Sequence, residues 1–266
     1  MRSVPPFPPG HFYSPLTSAA DRERAIRWGA DTDSVPGVEI DRDSMRNLAE
    51  NLGPSWSELN RGGRYHPATM YCEADAAVYH SMIRRYQPRR IIEVGSGFST
   101  AVALDTAEDH HLSMDITCIE PYPDRLESLI RTNDDVHLRR SIVQDVPLDI
   151  YTTLDAGDML FIDSTHVAKA GSDVVWTTLR VLPNLRPGVL VHIHDMFWPF
   201  EYKPEWHRAR RDWTEIYLIH AFLSGNPGWK VLFFNDLVWT QFGDIVEKYA
   251  PATRGQRPGG LWLQKA

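Results

Sequence analysis

The stretch Arg90-Ile91-Ile92-Glu93-Val94-Gly95-Ser96-Gly97-Phe98-Ser99 decides the fold of this chain. Its apolar first half predicts a β-strand, and the Ala-rich segment 99–108 predicts a helix directly after it. The two glycines let the backbone turn sharply and approach a ligand closely. A tight turn alone also explains such a pair. Because position 100 is Thr, the stretch is not the Gly-x-Gly-x-x-Gly fingerprint of dinucleotide-binding proteins.

Strands and helices alternate from residue 73 to the end of the chain. Strands are predicted over 90–95, 115–120, 136–143, 158–163, 188–195, 229–235 and 261–264, and helices over 73–86, 99–108, 124–131, 173–182 and 213–223. Short apolar strands that alternate with helices are typical of a parallel sheet covered on both faces. We therefore expect an α/β fold with a doubly wound sheet.

Residues 1–72 differ in composition from the rest of the chain. They have a Pro-rich start, and helical spacing of apolar residues over 41–52 predicts a short helix. The segment also carries the aromatic residues Phe7, Phe12, Tyr13, Trp56 and Tyr65. We expect an N-terminal lid or helical appendage that closes over the pocket and excludes water, followed by the main domain at 73–266. Its apolar groups also leave a homodimer contact open.

Composition limits the classes of partner. The net charge of the 266 residues is −7, which argues against nucleic acid as a partner, and the cluster Arg208, Arg210 and Arg211 is too short to change that. Two cysteines cannot form a disulfide framework. The sequence has no apolar stretch of the length of a signal peptide or a membrane span. We expect a soluble, cytoplasmic protein with no membrane partner.

Ligands of doubly wound sheets bind where the carboxyl ends of the parallel strands meet. The polar residues expected at that edge are Glu93, Glu120, Asp145, Asp163, His194 and Asp195. Glu120 can accept both hydroxyls of a ribose, which suits a nucleoside without excluding NAD. Asp145, expected at the end of the third strand, either meets an adenine amino group or is a solvated loop residue.

The segment Ile92-Glu93-Val94-Gly95-Ser96-Gly97-Phe98-Ser99, followed by Ile119-Glu120-Pro121, resembles motifs I and II of class I S-adenosylmethionine-dependent methyltransferases. The resemblance covers residues 73–266. It implies a seven-stranded Rossmann-like sheet whose last strand is antiparallel, with S-adenosylmethionine as cofactor. In that family the first motif lines the methionine part of the cofactor, and the acid after the second strand holds the ribose. The cofactor-binding residues expected on this basis are Glu93, Gly95, Ser96, Gly97, Ser99, Glu120, Asp145 and Asp163.

Two neighbouring strand ends carry a second group of polar side chains. Asp163 and His166 follow the fourth strand, and His194 and Asp195 follow the fifth. Asp163, His194 and Asp195 can converge on a divalent cation, which would offset the repulsion between the carboxylates. A hydrogen-bonded cluster without a metal is the alternative. His192, expected to alternate away from His194 on the strand, is predicted to be a buried structural histidine.

This second group is similar to that of the metal-dependent catechol and caffeoyl-CoA O-methyltransferases. In those enzymes an Asp ends the fourth strand and an Asp-Asn pair ends the fifth, together binding magnesium, and a lysine acts as base. Asp163 matches the first Asp, His194 the second, Asp195 the Asn and His166 the lysine, although the glycine loop here is two residues shorter. A histidine ligand favours Mn²⁺, Fe²⁺ or Zn²⁺ over Mg²⁺, or no metal at all. His166 is a candidate base, an orienting residue or a structural loop histidine.

The segment after the fifth predicted strand is rich in aromatic residues. Trp198, Phe200, Tyr202 and Trp206 either wall a substrate pocket or belong to the core. The run 187–206, together with 213–217, is also similar to that of uncharacterised bacterial methyltransferase-like proteins.

The leading hypothesis is methyl transfer from S-adenosylmethionine to a small-molecule acceptor, expected to be a hydroxyl. Asp163 and His166 are the candidate catalytic residues, and assistance by a divalent metal is left open. One alternative is a non-methylating protein on the same fold, either metal-dependent and hydroxylase-like or a cofactor-binding regulator. Another is a nicotinamide-dependent oxidoreductase, against which the missing third glycine counts.

Overall fold

A computed structural model of the chain describes residues 7–30, 34–67 and 70–266, so residues 1–6 of the expected appendage lie outside the described residues. The described strands are β1 (Arg90–Val94), β2 (Asp115–Ile119), β3 (Val136–Arg139), β4 (Met159–Ile162), β5 (Leu190–His194), β6 (Trp229–Phe234) and β7 (Gly260–Lys265). The described helices are α1 (Ala19–Ala30), α2 (Arg42–Trp56), α3 (Glu73–Tyr86), α4 (Phe98–His110), α5 (Asp124–Leu129), α6 (Leu148–Tyr151), α7 (Asp173–Trp176), α8 (Leu182–Asn184), α9 (Pro204–Arg208), α10 (Glu215–Leu223), α11 (Asn235–Gln241) and α12 (Gly243–Tyr249). None of these helices is long and apolar enough to cross a membrane.

The described strands form one seven-stranded sheet in the order β3-β2-β1-β4-β5-β7-β6. Strands β1 to β5 pair in parallel, and β7 runs antiparallel to both β5 and β6. The direction of strand addition reverses between β1 and β4, so a crevice opens beside their carboxyl ends. The expected doubly wound sheet with an antiparallel last strand is confirmed.

Burial along the strands follows their place in the sheet. The central strand β4 is buried at every residue, as both of its faces are covered by helices. The edge strand β3 instead alternates half-buried and exposed residues. Helix α3 ends where Gln87 adopts a left-handed conformation, with φ of 45°, and its N–H donates to the carbonyl of Ile83 at 2.8 Å. Pro88 then prevents the helix from continuing.

The third strand and the helix expected over 173–182 differ from the sequence-based prediction. The third strand ends at Arg139 rather than at Val143, because Ile142 and Val143 leave the sheet and a 3₁₀ turn forms over Val143–Asp145. The helix expected over 173–182 is interrupted by a π turn at Thr177–Val181. The hydroxyl of Thr177 donates to the carbonyls of Asp173 and Val174 at the start of that turn.

The N-terminal segment shares the core of the sheet domain. The predicted helix over 41–52 is present as α2, which packs against α3, α12 and β6. Its buried apolar residues are Met45, Ala49, Leu52 and Trp56. Helix α1 buries none of its residues and contacts α9. The division of the chain at residue 72 remains a proposal, and the packing of α2 favours a single core.

Arg64 fixes the end of this segment to α4. Its guanidinium lies 2.8 Å from a carboxylate oxygen of Asp105 and 2.6 Å from one of Glu108, and it also pairs with Asp134. The backbone N–H of Tyr65 donates to Asp105 at 2.8 Å. The Arg64 and Asp105 side chains are 5% and 3% exposed, so losing one partner of this buried pair is costly, whereas Glu108 is exposed.

The five aromatic residues of the segment differ in their exposure to solvent. Trp56 and Tyr65 are fully buried in the core, so the structure does not place them over a pocket. Phe12 and Tyr13 are 99% and 75% exposed. Of the described residues of this segment, Met70 and Tyr71 line a cavity at the carboxyl ends of the parallel strands.

Candidate active site

The carboxyl ends of β1, β2 and β4 come together at Gly95. Its N–H donates to the carbonyl of Ile119 at 3.0 Å, and the N–H of Asp163 donates to the carbonyl of Val94 at 2.9 Å. Gly95 has φ of +78°, and a Cβ there would lie 1.8 Å from the carbonyl oxygen of Asp163. A side chain has no room at this position, so only glycine lets β1, β2 and β4 end together.

Glu93 lies beneath the glycine turn rather than in it. The side chain is fully buried and accepts hydrogen bonds from the hydroxyls of Thr100 and Tyr79. Thr100 in turn accepts a hydrogen bond from the N–H of Gly97 at 3.2 Å. Glu93 therefore supports the turn from below. Burial raises its pKa from 4.5 to about 7, even though these hydrogen bonds favour the carboxylate.

Replacing Glu93 with Gln is expected to remove a pH dependence of stability. The folded protein holds a proton on Glu93 up to about pH 7, whereas the unfolded chain releases it near pH 4.5. This group therefore makes the folded state less stable as pH rises from about 4.5 to about 7 and has a constant effect above that. Between pH 5 and pH 8, the free energy of unfolding of the wild type should fall by about 2–3 kcal/mol relative to Glu93→Gln. Urea unfolding across this range measures the difference, and parallel curves would contradict the assignment.

A cavity of about 590 Å³ opens at the carboxyl ends of β1, β2, β4 and β5. Its lining residues are Met70, Tyr71, Gly95, Ser96, Gly97, Phe98, Ser99, Glu120, Arg125, Asp163, Ser164, Thr165, His166, His194, Asp195, Lys203, Trp206, Arg211 and Trp213. A second cavity of about 320 Å³ shares Gly95, Glu120 and Asp163 with the first. Its walls are mostly apolar: Val94, Ile119, Pro121, Tyr122, Ile142 and Val143. We call these the larger and the smaller cavity.

Most of the predicted cofactor residues meet at these two cavities. Those that line at least one are Gly95, Ser96, Gly97, Ser99, Glu120 and Asp163. Glu120 accepts hydrogen bonds from the N–H groups of Ser96, at 3.2 Å, and Tyr122, at 2.8 Å. Glu93 and Asp145 line neither cavity. Asp145 is exposed at the end of its 3₁₀ turn, and the neighbouring Gln144 lines the smaller cavity in its place.

His166 lies among three carboxylates on the floor of the larger cavity. Its Nδ1 is 2.8 Å from an oxygen of Glu215, and its Nε2 is 3.3 Å from oxygens of both Asp163 and Asp195. His166 and Asp195 both have left-handed backbones, with φ of 59° and 56°. The N–H groups of Thr214 and Glu215 donate to the His166 carbonyl and hold that backbone in place. Strained residues of this kind occur at sites where structure is fixed for function.

The charges in this cluster depend on one another. Burial disfavours ionisation of Asp163, but the charge of His194 and the hydrogen bond from His166 outweigh it and lower its pKa to about 2. Burial also disfavours a charged His166, yet hydrogen bonds to Asp163 and Glu215 raise its pKa well above its ordinary value. Burial raises the pKa of Asp195. The surrounding carboxylates therefore favour the protonated form of His166, and its Nε2 must lose a proton before it can bind a metal or accept a proton.

The atoms best placed to hold a metal ion differ from the predicted set. Within the described residues, one oxygen each of Asp163 and Asp195 and one ring nitrogen of His166 lie within 4.8 Å of one another. The strand pattern of the sequence predicts His194 as a ligand in place of His166. His194 lines the larger cavity, but its Nε2 is 3.8 Å from Asp195 and its Nδ1 faces another histidine. The structure thus brings together Asp163, His166 and Asp195.

His192 is buried as predicted, but it does not point away from His194. Residues two apart on a strand share a face. The Nε2 of His192 accordingly lies 3.3 Å from the Nδ1 of His194. Its ring stacks on Phe161, with centroids 4.2 Å apart. Burial and the charge of His194 lower the pKa of His192 well below its ordinary value, so it is a neutral residue beneath the cluster.

Comparisons with known proteins identify the family to which the chain belongs. A family profile described as a methyltransferase domain matches residues 92–196, which run from β1 past the end of β5. An uncharacterized protein of Archaeoglobus fulgidus is 32% identical over 163 residues, covering 56% of this chain and 74% of that protein. The chain belongs to the class I methyltransferase family. Its strand order, with the antiparallel β7 between β5 and β6, agrees with that assignment.

The methyltransferase chain is also similar to solved structures. An SAH-bound methyltransferase of Podospora anserina is 15% identical, with a TM-score of 0.48 and 100% of both chains covered. The apo structure of CmcI is 20% identical, with a TM-score of 0.44, covering 73% of this chain and 71% of that one. The plantazolicin methyltransferase BpumL, in complex with a triazolic desmethylPZN analog and SAH, is 14% identical, with a TM-score of 0.47 and coverage of 92% and 96%.

Several residues that line the two cavities or contact His166 could not be identified from the sequence. The aromatic run after β5 divides: Trp198, Phe200 and Tyr202 are buried in the core, whereas Trp206 lines the larger cavity. The missed polar residues are Arg125, Gln144, Lys203, Arg211 and Glu215. Glu215 begins α10, 49 residues after His166, and no sequence spacing connects the two.

Proposed function

We propose that this member of the methyltransferase family transfers a methyl group from S-adenosylmethionine to a hydroxyl of a small-molecule acceptor. The observation that carries the proposal is the continuity of the two cavities. Gly95, Glu120 and Asp163 line both of them. The smaller cavity, which we call the adenosine slot, therefore opens into the larger one beside the acidic cluster, which consists of Asp163, Asp195 and Glu215 around His166. When bound, S-adenosylmethionine would supply a methyl group on a positively charged sulfur. An acceptor oxygen would bond to the methyl carbon as the carbon–sulfur bond breaks, which leaves S-adenosylhomocysteine.

The smaller cavity suits the adenosine part of that cofactor. Tyr122 and Ile142 are 84% and 45% exposed, and a bound planar base would cover their apolar surfaces. The Oε1 atom of Gln144 is buried and accepts no hydrogen bond, while its Nε2 donates to the carbonyl of Gly171. An adenine amino group would satisfy this acceptor. The carboxylate of Glu120 is held by two N–H groups beside the slot, where it suits a ribose diol.

The glycine turn suits the methionine part. Gly97 precedes α4, whose first N–H groups have no partner within the helix and favour an anion. Arg125 lies over this point: its Cδ would be 3.0 Å from a Cβ on Gly97, and its guanidinium is 5.5 Å from the ring centre of Phe98. A carboxylate placed here would have both the helix and the guanidinium as partners.

The acidic cluster suits activation of the acceptor. Asp163, His166 and Asp195 offer two carboxylate oxygens and an imidazole nitrogen, a set that binds Mn²⁺, Fe²⁺ or Zn²⁺. Such a cation would lower the pKa of an acceptor hydroxyl. Glu215 accepts the Nδ1 proton of His166 and so leaves Nε2 as the atom directed at the site. Without a bound cation, Asp195, whose pKa burial raises, is suited instead to take up the proton of the acceptor.

Calorimetry with S-adenosylhomocysteine (SAH) tests the cofactor assignment. We expect Glu120→Ala to weaken binding about 10- to 100-fold, because two strong hydrogen bonds to the ribose are lost. Asp145→Ala is the matched control, since this exposed carboxylate lines neither cavity, and its affinity should equal that of the wild type. Unchanged binding in Glu120→Ala would reject the assignment. A loss in Asp145→Ala would restore the role predicted from the sequence.

A further inference from the structure

Two cations line the larger cavity in addition to the acidic cluster. Lys203 lies between β5 and α9, and Arg211 lies between α9 and α10. Both line the larger cavity together with Trp206 and Trp213. We call Lys203 and Arg211 the basic rim. Neither the adenosine slot nor the acidic cluster uses this pair.

The basic rim has no acidic partner in the described part of the chain. Lys203 donates to the carbonyl oxygen of Arg257 at 2.9 Å, and neither it nor Arg211 forms an ion pair there. Two carboxylates that neighbour these cations in sequence have other partners. Asp212 lies 3.5 Å from Arg22, and Glu201 lies 2.9 Å from a ring nitrogen of His207. An uncompensated pair of cations in a cavity attracts an anion.

Aromatic rings hold these cations in place. The guanidinium carbon of Arg211 lies 4.7 Å from the ring centre of Trp206 and 5.0 Å from that of Trp213. The Nζ atom of Lys203 lies 4.2 Å from the ring centre of Phe197 and 5.1 Å from that of Trp206. Contact with a ring face positions a guanidinium without using its N–H donors, which stay available for a bidentate carboxylate. Trp206 and Trp213 also add flat apolar surface to the wall.

The lining of the larger cavity therefore combines carboxylates, the basic rim and the rings of Trp206 and Trp213. We propose that the methyl acceptor is an aromatic hydroxy acid, whose hydroxyl lies at the acidic cluster and whose carboxylate binds to the basic rim. This inference rests on the proposed methyl transfer and adds the substrate class. A neutral acceptor of the same shape would leave Lys203 and Arg211 without a partner and would bind more weakly.

Binding of a matched pair of probes to the SAH-loaded protein tests the basic rim. The probes are 3,4-dihydroxybenzoate and 3,4-dihydroxybenzamide, which differ in charge but keep the same ring and hydroxyls. By calorimetry we expect the wild type to bind the benzoate at least 10-fold more tightly than the amide. In the double variant Lys203→Met, Arg211→Gln, the preference should fall to within about two-fold. Arg208→Gln, an exposed arginine outside the cavity, should keep the wild-type preference.

The two proposals fail in different ways in this experiment. Absence of SAH binding to the wild type would overturn the proposed function. Binding of SAH without a preference for the benzoate, or without any binding of the benzoate, would overturn the inference about the basic rim. Retention of the full preference in the double variant would overturn it as well. SAH affinity equal to that of the wild type shows that the variants are folded.

Discussion

An Asp195→Asn variant is expected to lose about 100-fold or more in kcat while keeping its affinity for SAH. Asp195 lines the larger cavity but not the adenosine slot. The amide has the same shape as the carboxylate, so the change removes one charge and one proton acceptor from the cluster. His166 then loses one of the oxygens 3.3 Å from its Nε2. Initial rates of methyl transfer and SAH calorimetry together separate catalysis from cofactor binding.

Glu201→Gln is the matched control for this variant. Its carboxylate also accepts a hydrogen bond from a buried histidine, with 2.9 Å between Glu201 and His207, but neither residue lines either cavity. We expect its kcat to stay within about three-fold of the wild type. Added Mn²⁺ should stimulate the EDTA-treated wild type and this control more than Asp195→Asn. A kcat near that of the wild type in Asp195→Asn would remove Asp195 from the mechanism.

The strand-end residues could be predicted because they follow directly from local patterns. Gly95, Glu120, Asp163 and Asp195 each come just after an apolar run, and right-handed crossovers bring the carboxyl ends of such strands to one edge. The position of each residue relative to its strand was therefore enough. The structure places all four on the lining of the larger cavity.

Two cofactor residues predicted from the sequence lie outside the cavities, because the position of a side chain also depends on where its strand ends and on which faces of the sheet are covered. Asp145 lies outside the cavities because Ile142 and Val143 form a turn instead of extending β3, which directs Gln144 to the slot. Glu93 is adjacent to the turn in sequence, but its strand is covered on both faces. Its side chain therefore points into the core, towards Tyr79.

The sequence indicates His166 as a candidate base, but grouping its Nε2 with Asp163 and Asp195 required tertiary information. Its ring enters the cluster because its backbone is left-handed and its carbonyl accepts hydrogen bonds from the N–H groups of Thr214 and Glu215. Neither the conformation nor the 49-residue separation from Glu215 leaves a pattern in the sequence. The strand pattern favoured His194 as a ligand because it ends β5, but its Nδ1 faces His192.

Gly95→Ala is expected to cost about 3 kcal/mol or more in free energy of unfolding and to abolish SAH binding. The left-handed backbone alone costs a side chain about 1–2 kcal/mol. The rest comes from the backbone oxygen of Asp163, which would lie 1.8 Å from the new Cβ and cannot rotate away as a flexible side chain can. The strands β1 and β4 must then separate at the hydrogen bond between Asp163 and Val94.

The control is Gly255→Ala, which has a similar φ of +83° and no atom within 4 Å of its Cβ. In this variant only the left-handed backbone is strained, so its free energy of unfolding should fall by about 1–2 kcal/mol and its SAH affinity should equal that of the wild type. Urea unfolding and calorimetry on both variants separate backbone strain from overlap. Equal losses of stability, with SAH still bound by Gly95→Ala, would mean that the strand ends can move apart and that close contact at Gly95 does not shape the cofactor site.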